Sequence, residues 1–179
     1  MRVRIARDEL RRVRELSQTI KALETEIAQL VARIAPQLLN EPGFGPLTAA
    51  KLVGEIAGAD RFASDAKLAR AAGLAPIPAS SGKTNHHRLD RGGNRQINAA
   101  IHRVAVTRAR CHDETRDYIA RKTAEGKTYR EAIRCLKRHL ARRVWHLLQP
   151  PHPVAKHRHH LQFLDMDGMC RPGSVLADV

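Results

Sequence analysis

Aromatic residues are scarce in this chain: Phe, Trp and Tyr make up only 3% of its 179 residues. A core with so few rings has to be built from Leu, Ile, Val and Ala, which suits helices better than strands. Cysteine is also rare, and Cys111, Cys135 and Cys170 show neither a CxxC pair nor a Cys/His metal spacing. We therefore expect reduced thiols, as in cytoplasmic proteins, and no cysteine-based metal site.

Long apolar runs are absent as well. No stretch approaches the 18 or so residues that a membrane-spanning helix requires. The first residues, MRVRIARDEL, lack the apolar segment of a secretory signal peptide. These features predict a cytoplasmic protein without a membrane partner.

Acidic residues are outnumbered: 18 Asp and Glu face 32 Lys and Arg, a formal net charge of +14. Such an excess favours a polyanionic partner, most often DNA or RNA. A solvated basic surface with no partner is the alternative.

A strict apolar repeat runs through residues 1–38, which we predict to be a coiled-coil helix. β-branched residues alternate with leucine at spacings of three and four, a pattern that favours a two-stranded coiled coil and hence a homo-oligomer. The alternative is a long helix packed on its own domain. Pro36 should end or kink the helix. We call the repeat the heptad seam; it consists of Val13, Leu16, Ile20, Leu23, Ile27, Leu30 and Ile34.

A glycine-rich turn, PGFGP, opens the segment 39–148, which we predict to be the main domain. Gly43 and Gly45 flank one apolar residue ahead of an amphipathic run, as in the hairpin of helix-hairpin-helix DNA-binding modules. Glycine permits a tight turn, and backbone N–H groups at the next helix start can bind a phosphate. A simple helix–turn–helix corner remains the alternative.

Further helices downstream make the predicted fold class all-α. Ser64 is expected to cap a short helix that ends near Gly73, and Thr128 with Glu131 matches a capping box. Lys137 is predicted to belong to a basic surface of the last helix. Residues 149–179 are rich in proline and histidine, which predicts a disordered tail. The three C-terminal helices are expected at 94–111, 113–125 and 128–148.

Between these helices lies ASSGKTNHHRLDRGGNRQIN, residues 79–98, which is polar and basic. It has no GxSxG elbow and no predicted strand, so a serine hydrolase is disfavoured. Phosphoryl chemistry fits better, because cations can stabilise a phosphate beside a serine hydroxyl. From residue types alone, a phosphate-binding loop and a serine nucleophile both remain open. The candidate phosphate-binding cations are Lys83, Arg88, Arg91 and Arg95.

Three segments, PGFGPLTAAKLVGEIAG, GLAPIPASSGKTNHHRLDRGGNRQINAAIHRVAVTRAR and TRDYIARKTAEGKTYREAIRCLKRHLARRVWHLL, carry a specific resemblance. Together they resemble the C-terminal serine domain of the IS one-ten family of insertion-sequence transposases, which are RNA-guided bridge recombinases. The resemblance covers roughly residues 10–148. It implies that the serine before the loop glycine, Ser81, attacks DNA and forms a covalent phosphoserine.

The resemblance also implies partners. Family members carry an N-terminal RNase-H-like domain with four acidic ligands for a divalent metal such as Mg²⁺, use a guide RNA, and assemble through the coiled coil. No such domain precedes the coiled coil here, so we expect a truncated transposase with no metal site and no cofactor of its own. Cleavage and rejoining of DNA would then require the acidic domain from elsewhere. The alternative is a non-catalytic DNA-binding protein or an inactive remnant.

Overall fold

The computed structural model describes residues 2–79, 87–88 and 90–150, and in these ranges the all-α prediction is confirmed. The described chain forms seven α-helices, a one-turn 3-10 helix at Ala59–Arg61 and a minimal pair of strands. None of its helices combines the length and the apolar character that a membrane span needs. The helices are α1 (Arg2–Ile34), α2 (Pro36–Leu39), α3 (Pro46–Ile56), α4 (Asp65–Ala71), α5 (Arg95–Cys111), α6 (Asp113–Ala124) and α7 (Tyr129–Leu147).

Helix α1 ends where Pro36 was expected to interrupt it. Ala35 leaves the helical region with φ −146° and ψ 58°, and Pro36 then opens α2. The residue before a proline is disfavoured in helical backbone, whereas proline suits a first helical position. Ala35 and Leu38 are fully buried, so the core of the domain begins within the segment predicted as coiled coil.

Apart from Ile27, the heptad seam faces solvent within the single chain. Helix α1 instead packs on the domain through Val31 and, in part, Ile27, which lie one helical turn apart. Leu30 and Ile34 point away from the domain and are exposed. The domain therefore covers a different face of α1 from the one that carries most of the seam.

The core is built around α5, which packs against α3, α6 and α7. The apolar sides of α5 and α7 face this core, where Ile101, Leu136 and Leu140 are buried. Burial of such side chains stabilises a fold by about 1.5–3 kcal/mol each. Other buried members of this core are Leu38, Leu52, Ile56, Leu68, Ile97, Val104 and Val144.

Helix ends follow local sequence signals. The Thr128 hydroxyl accepts the Glu131 N–H, and the Glu131 carboxylate accepts the Thr128 N–H, so the predicted capping box is confirmed. Ser64 caps α4 by accepting the Lys67 N–H. Gly73 follows α4 with φ +64°, which is a left-handed conformation that favours glycine.

One buried carboxylate ties the PGFGP turn to two helices. Glu41 Oε2 accepts from Arg108 Nη2 of α5 at 2.8 Å, and Glu41 Oε1 accepts from Arg143 Nη2 of α7 at 2.5 Å. Arg108 Nε also donates to the Pro42 carbonyl at 2.7 Å. Burial raises the pKa of Glu41, but the hydrogen bonds and charges of Arg143 and Arg108 outweigh it and hold this pKa below its ordinary value.

The expectation that residues 79–98 contain no strand was wrong, although the strand found there is only two residues long. Strand β1 (Ile77–Pro78) pairs antiparallel with β2 (His87–Arg88), with Ile77 opposite Arg88. Proline restricts itself and the preceding residue to extended backbone, which favours β1. Of the predicted disordered tail, 149–179, the part from residue 151 onward lies outside the described residues.

Candidate functional site

The polar segment that contains Ser81 departs from the helical domain and returns to it at one point, where Gly73 and Gly93 lie against each other. A Cβ added to Gly93 would lie 2.5 Å from the Gly73 nitrogen and 2.6 Å from the Ala71 oxygen. A Cβ on Gly73 would collide with the Gly92 carbonyl. Both residues also have positive φ, at +64° and +85°, so space and backbone conformation alike require glycine.

We call residues 74–92 the serine hairpin and the contact between Gly73 and Gly93 the hairpin base. Strands β1 and β2 form the paired part of the hairpin, and residues 79–86 connect them in sequence. Ser81, the predicted nucleophile, and Lys83 belong to this connection and lie outside the described residues. Their roles stay predictions.

Hydrogen bonds from α5 hold the hairpin base to the end of α4. The Asn94 N–H donates to the Ala71 carbonyl at 2.6 Å. The Asn98 side-chain amide donates from Nδ2 to the carbonyls of Ala72 at 3.0 Å and Gly73 at 3.2 Å. The main chain on both sides of the hairpin is therefore fixed to the domain.

Asn94 also anchors the start of α5 to α3. Asn94 Oδ1 accepts the N–H groups of Gln96 at 2.8 Å and Ile97 at 3.1 Å, which caps the helix. Asn94 Nδ2 donates to Glu55 Oε2 of α3 at 2.7 Å. Because one side chain bonds both α3 and the first turn of α5, the exit of the hairpin is held firmly.

Asp90 has a structural role at the hairpin. It is only 8% exposed, its Oδ1 accepts the Gly92 N–H at 2.9 Å, and its Oδ2 lies 3.4 Å from Arg70 Nη1. Both carboxylate oxygens are thus engaged, while His87 is exposed on β2. This arrangement does not favour a hydrolase triad that would use Asp90 to orient a histidine.

Three of the four predicted phosphate-binding cations are described, and all three are exposed. Arg88 lies on β2, Arg91 follows Asp90, and Arg95 is the first residue of α5. They follow one another along the exit side of the hairpin, close to its base. Exposed guanidinium groups in this position are accessible to a phosphate backbone.

Lys137 corrects the prediction that it belongs to a basic surface. It is only 8% exposed, and its Nζ donates to Asn98 Oδ1 at 2.5 Å. Burial, followed by the charge of Arg95, lowers the pKa of Lys137 to about 8. Burial and the Lys137 charge also lower the pKa of the neighbouring His102.

Asn94, Asn98 and Lys137 were not singled out as site residues from sequence. An asparagine directly before an amphipathic helix is an N-cap signal that could have identified Asn94. Lys137 stands four residues after the buried Ile133, which places it on the apolar side of α7. Nothing in the sequence indicates that Asn98 bonds the end of α4.

Gly43 and Gly45 of the PGFGP turn have different structural roles. Gly43 has φ +78°, and a Cβ there would lie 2.9 Å from Arg108 Cγ and 3.3 Å from the Val104 oxygen. Gly45 has φ −88° and ψ 163°, and a Cβ would meet nothing within 4 Å. The fold therefore requires glycine at 43 but not at 45. Pro46 opens α3, so the first helical position carries no N–H to offer a phosphate.

The residues that the structure describes do not fit a divalent-metal site. Among them, no group of three or more His, Cys, Asp or Glu side chains comes together. A Mg²⁺ site needs several oxygen ligands around one point. We therefore assign no metal to the described part of the chain.

Comparison with known proteins finds a family whose model matches part of the chain. Residues 35–120 match the model of the transposase IS116/IS110/IS902 family. The chain is 37% identical over 121 residues to a protein of insertion element IS110 from Streptomyces coelicolor, covering 66% of this chain and 30% of that protein.

Two further relatives agree. The IS900 protein of Mycobacterium paratuberculosis is 32% identical over 148 residues, covering 76% of this chain and 37% of that protein. The IS116 protein of Streptomyces clavuligerus is 32% identical over 110 residues, covering 60% and 27%. The chain thus spans about a third of the length of the curated relatives that it matches. The matched residues include the PGFGP turn, the serine hairpin and its base, and over residues 35–120 the chain is similar to the transposase IS116/IS110/IS902 family.

Proposed function

We propose that this chain is the serine-bearing part of an insertion-sequence transposase, which binds DNA and cleaves and rejoins it through Ser81. The observation that carries the proposal is the serine hairpin, which lies within the family-matched residues and is fixed to the domain at both ends. A nucleophile must be held in line with its target bond, and an anchored base limits the motion of the segment that carries it. The arginines at the base add the charge that a phosphate requires.

The proposed chemistry is a transesterification in two steps. The Ser81 Oγ forms a bond to phosphorus, the phosphodiester bond to the leaving sugar oxygen breaks, and the serine proton leaves while the leaving oxygen gains one. A DNA hydroxyl then attacks the phosphoserine, which restores the serine and joins the strand. Arg88, Arg91 and Arg95, with Lys83, would stabilise the charge on the phosphate oxygens.

Full activity would require further components. The resemblance implies an RNase-H-like domain that binds a divalent metal and helps to activate the attack. Since the described residues do not bring together three metal-ligating side chains, we propose that this domain and its metal come from outside these 179 residues. A guide RNA would select the DNA sequence, so the side chains of this chain need only contact the backbone.

We also propose that the chain self-associates through α1. The seam residues Leu16, Ile20 and Leu23 are about half exposed in the single chain. Leucine and isoleucine at such spacing are covered when a second helix supplies the same pattern. Two copies joined in this way would bring two serine hairpins into one assembly.

Trapping a covalent adduct tests the proposed reaction. The chain is incubated with labelled element-end DNA, a full-length relative and its guide RNA, and the products are separated under denaturing conditions. We expect a protease-sensitive adduct of this chain, which Ser81→Ala abolishes and Ser80→Ala, the adjacent control, retains. An adduct that persists in Ser81→Ala would exclude Ser81 as the nucleophile. Salt-dependent DNA binding without any adduct would favour the non-catalytic alternative.

A further inference from the structure

Lys137 is an unusual residue for the interior of a helical domain. Its ammonium is buried beside Arg95 and His102, and its hydrogen bond goes to a neutral amide rather than to a carboxylate. Burying a charge in this way costs stability, whereas an apolar side chain at the same place would pack without that cost. The position therefore calls for an explanation other than core packing.

The hydrogen bond from Lys137 determines which way the Asn98 amide faces. An ammonium only donates, so it selects the orientation in which Asn98 Oδ1 points to Lys137. The same orientation directs both protons of Asn98 Nδ2 toward two acceptors, the carbonyls of Ala72 and Gly73. The opposite orientation would set the amide oxygen against two carbonyl oxygens and its N–H groups against an ammonium.

The two carbonyls that Asn98 binds lie at the entry of the serine hairpin. Gly73 is also the residue that contacts Gly93 at the hairpin base. Asn98 itself lies one turn after Asn94, whose N–H binds the Ala71 carbonyl across the same base. A continuous chain of contacts thus runs from Lys137 on α7 through Asn98 on α5 to both ends of the hairpin.

We propose that Asn98 and Lys137 form a positioning pair for the serine hairpin, in which Lys137 orients the Asn98 amide and Asn98 fixes the entry strand to the base. In this proposal neither residue contacts DNA or the reacting atoms. The pair acts through the main chain of Ala72 and Gly73, and so sets where the hairpin leaves the domain. The catalytic consequence rests on the proposed function of Ser81, whereas the effect on the base does not.

Amide hydrogen exchange tests the pair without any assumption about the reaction. The probe is the Asn94 N–H, which is protected only while it binds the Ala71 carbonyl across the closed base. We expect Asn98→Ala and Lys137→Met to speed its exchange by about tenfold, the effect of losing a typical buried hydrogen bond. The matched control is Lys122→Met, which removes another buried lysine, 2% exposed, that lies on α6 and pairs with Glu125 just after this helix. Exchange of the Asn94 N–H at the wild-type rate in both test variants would overturn the proposal.

Asn98→Asp separates positioning from stability. An aspartate there still accepts from Lys137 and adds a charge partner for it, but it cannot donate to the Ala72 and Gly73 carbonyls. We expect the Asn94 N–H to exchange as fast as in Asn98→Ala, even where the melting temperature of the variant equals that of the wild type. Protection at the wild-type level in Asn98→Asp would overturn the proposal, because the donated bonds would then be unnecessary.

The adduct assay supplies the catalytic readout. In assemblies that trap an adduct on Ser81, Asn98→Asp and Lys137→Met should lower its rate of formation by about tenfold or more, with DNA affinity unchanged. An unchanged rate would overturn the catalytic part. Should the wild-type chain form no adduct at all, the proposed reaction fails, while the exchange measurements still decide on the pair.

Discussion

Gly93 lies so close to Gly73 that a Cβ on Gly93 would come within 2.5 Å of the Gly73 nitrogen. The two glycines hold together the polypeptide on either side of the segment that carries Ser81. This contact involves main-chain atoms, which cannot rotate away as a flexible side chain can.

Substituting Gly93 with alanine should therefore destabilise the domain strongly. The left-handed backbone alone costs roughly 1–2 kcal/mol for alanine, and overpacking typically adds 1–3 kcal/mol. The matched control is Gly126→Ala, since Gly126 has a similar φ of +87° but open space around it. Urea unfolding measures both variants, and equal losses of unfolding free energy would contradict the importance of the contact.

Gly43 and Gly45 allow DNA binding to be separated from folding. Gly43→Ala should lower the unfolding free energy, because the new Cβ would meet Arg108 and the backbone has φ +78°. Gly45→Ala should leave the unfolding free energy unchanged within about 0.5 kcal/mol. If the turn approaches a phosphate as predicted, Gly45→Ala weakens DNA binding in a filter-binding or anisotropy assay. Wild-type affinity in Gly45→Ala would remove Gly45 from the DNA contact.

Glu41 should make the domain sensitive to acid. Because its pKa is held below the ordinary value, the carboxylate stabilises the fold above the unfolded-state pKa, and this contribution is lost as pH falls through the folded-state pKa. Glu41→Gln should lower the unfolding free energy at pH 7 by about 1–3 kcal/mol, since Gln keeps an acceptor oxygen but removes the negative charge that faces two guanidinium groups.

Urea titrations between pH 7 and pH 3 check this expectation. The difference between the wild type and Glu41→Gln should shrink toward acid pH. Glu24→Gln, which neutralises an exposed carboxylate on α1, serves as the control and should follow the wild type at every pH. A constant difference across the range would contradict the role assigned to the Glu41 charge.

Lys137 predicts a further rise of the unfolding free energy with pH, in the alkaline range. Its pKa is about 8 in the folded chain against an ordinary value of 10.5. Between these values the unfolded chain binds a proton that the folded chain does not, so the unfolding free energy rises with pH by roughly 2–3 kcal/mol. Lys137→Met should lack this rise, while Lys67→Met, at an exposed lysine of α4, should keep it. Parallel curves for the wild type and Lys137→Met would contradict the shifted pKa.

The heptad seam predicts an oligomer of this chain that a single charged substitution disrupts. Leu23 is 51% exposed in the single chain. A glutamate there would be buried in the proposed helix pair, so Leu23→Glu should raise the dissociation constant by more than about tenfold. Ala22→Glu, next to the seam on an exposed face, should not change it. Sedimentation velocity over a range of concentrations measures both, and a monomeric wild-type chain would refute the seam as an interface.

The helices of this domain are predictable because their signals are local. Thr128 and Glu131 lie three residues apart, and the apolar sides of α5 and α7 repeat within each turn. The hairpin base is not predictable in this way, because Gly73 and Gly93 meet only when α4, α5 and α7 pack together. Lys137 has basic neighbours in sequence, so the local composition suggests an exposed residue. Its position on the apolar side of α7 nevertheless places it inside the domain.

The candidate site is likewise predictable only in part. Residue types and the family resemblance suffice to nominate Ser81 and the cations that follow it, because phosphoryl chemistry requires a hydroxyl and positive charge. They do not reveal how the hairpin is held. Asn94, Asn98 and Glu55 form that support through contacts between different helices, and amide side chains carry no distinctive sequence signal for such contacts.

The closed hairpin base also has a consequence for how such domains can vary. Since both ends of residues 74–92 are fixed at one place, the helices impose no particular span on what lies between them. Doubling the length of a flexible loop costs only about 0.6 kcal/mol in closure entropy. We therefore expect that the part of the hairpin before Asp90 can be lengthened or shortened, and that a chimaera that grafts this part of one relative onto the base of another keeps the helical domain intact.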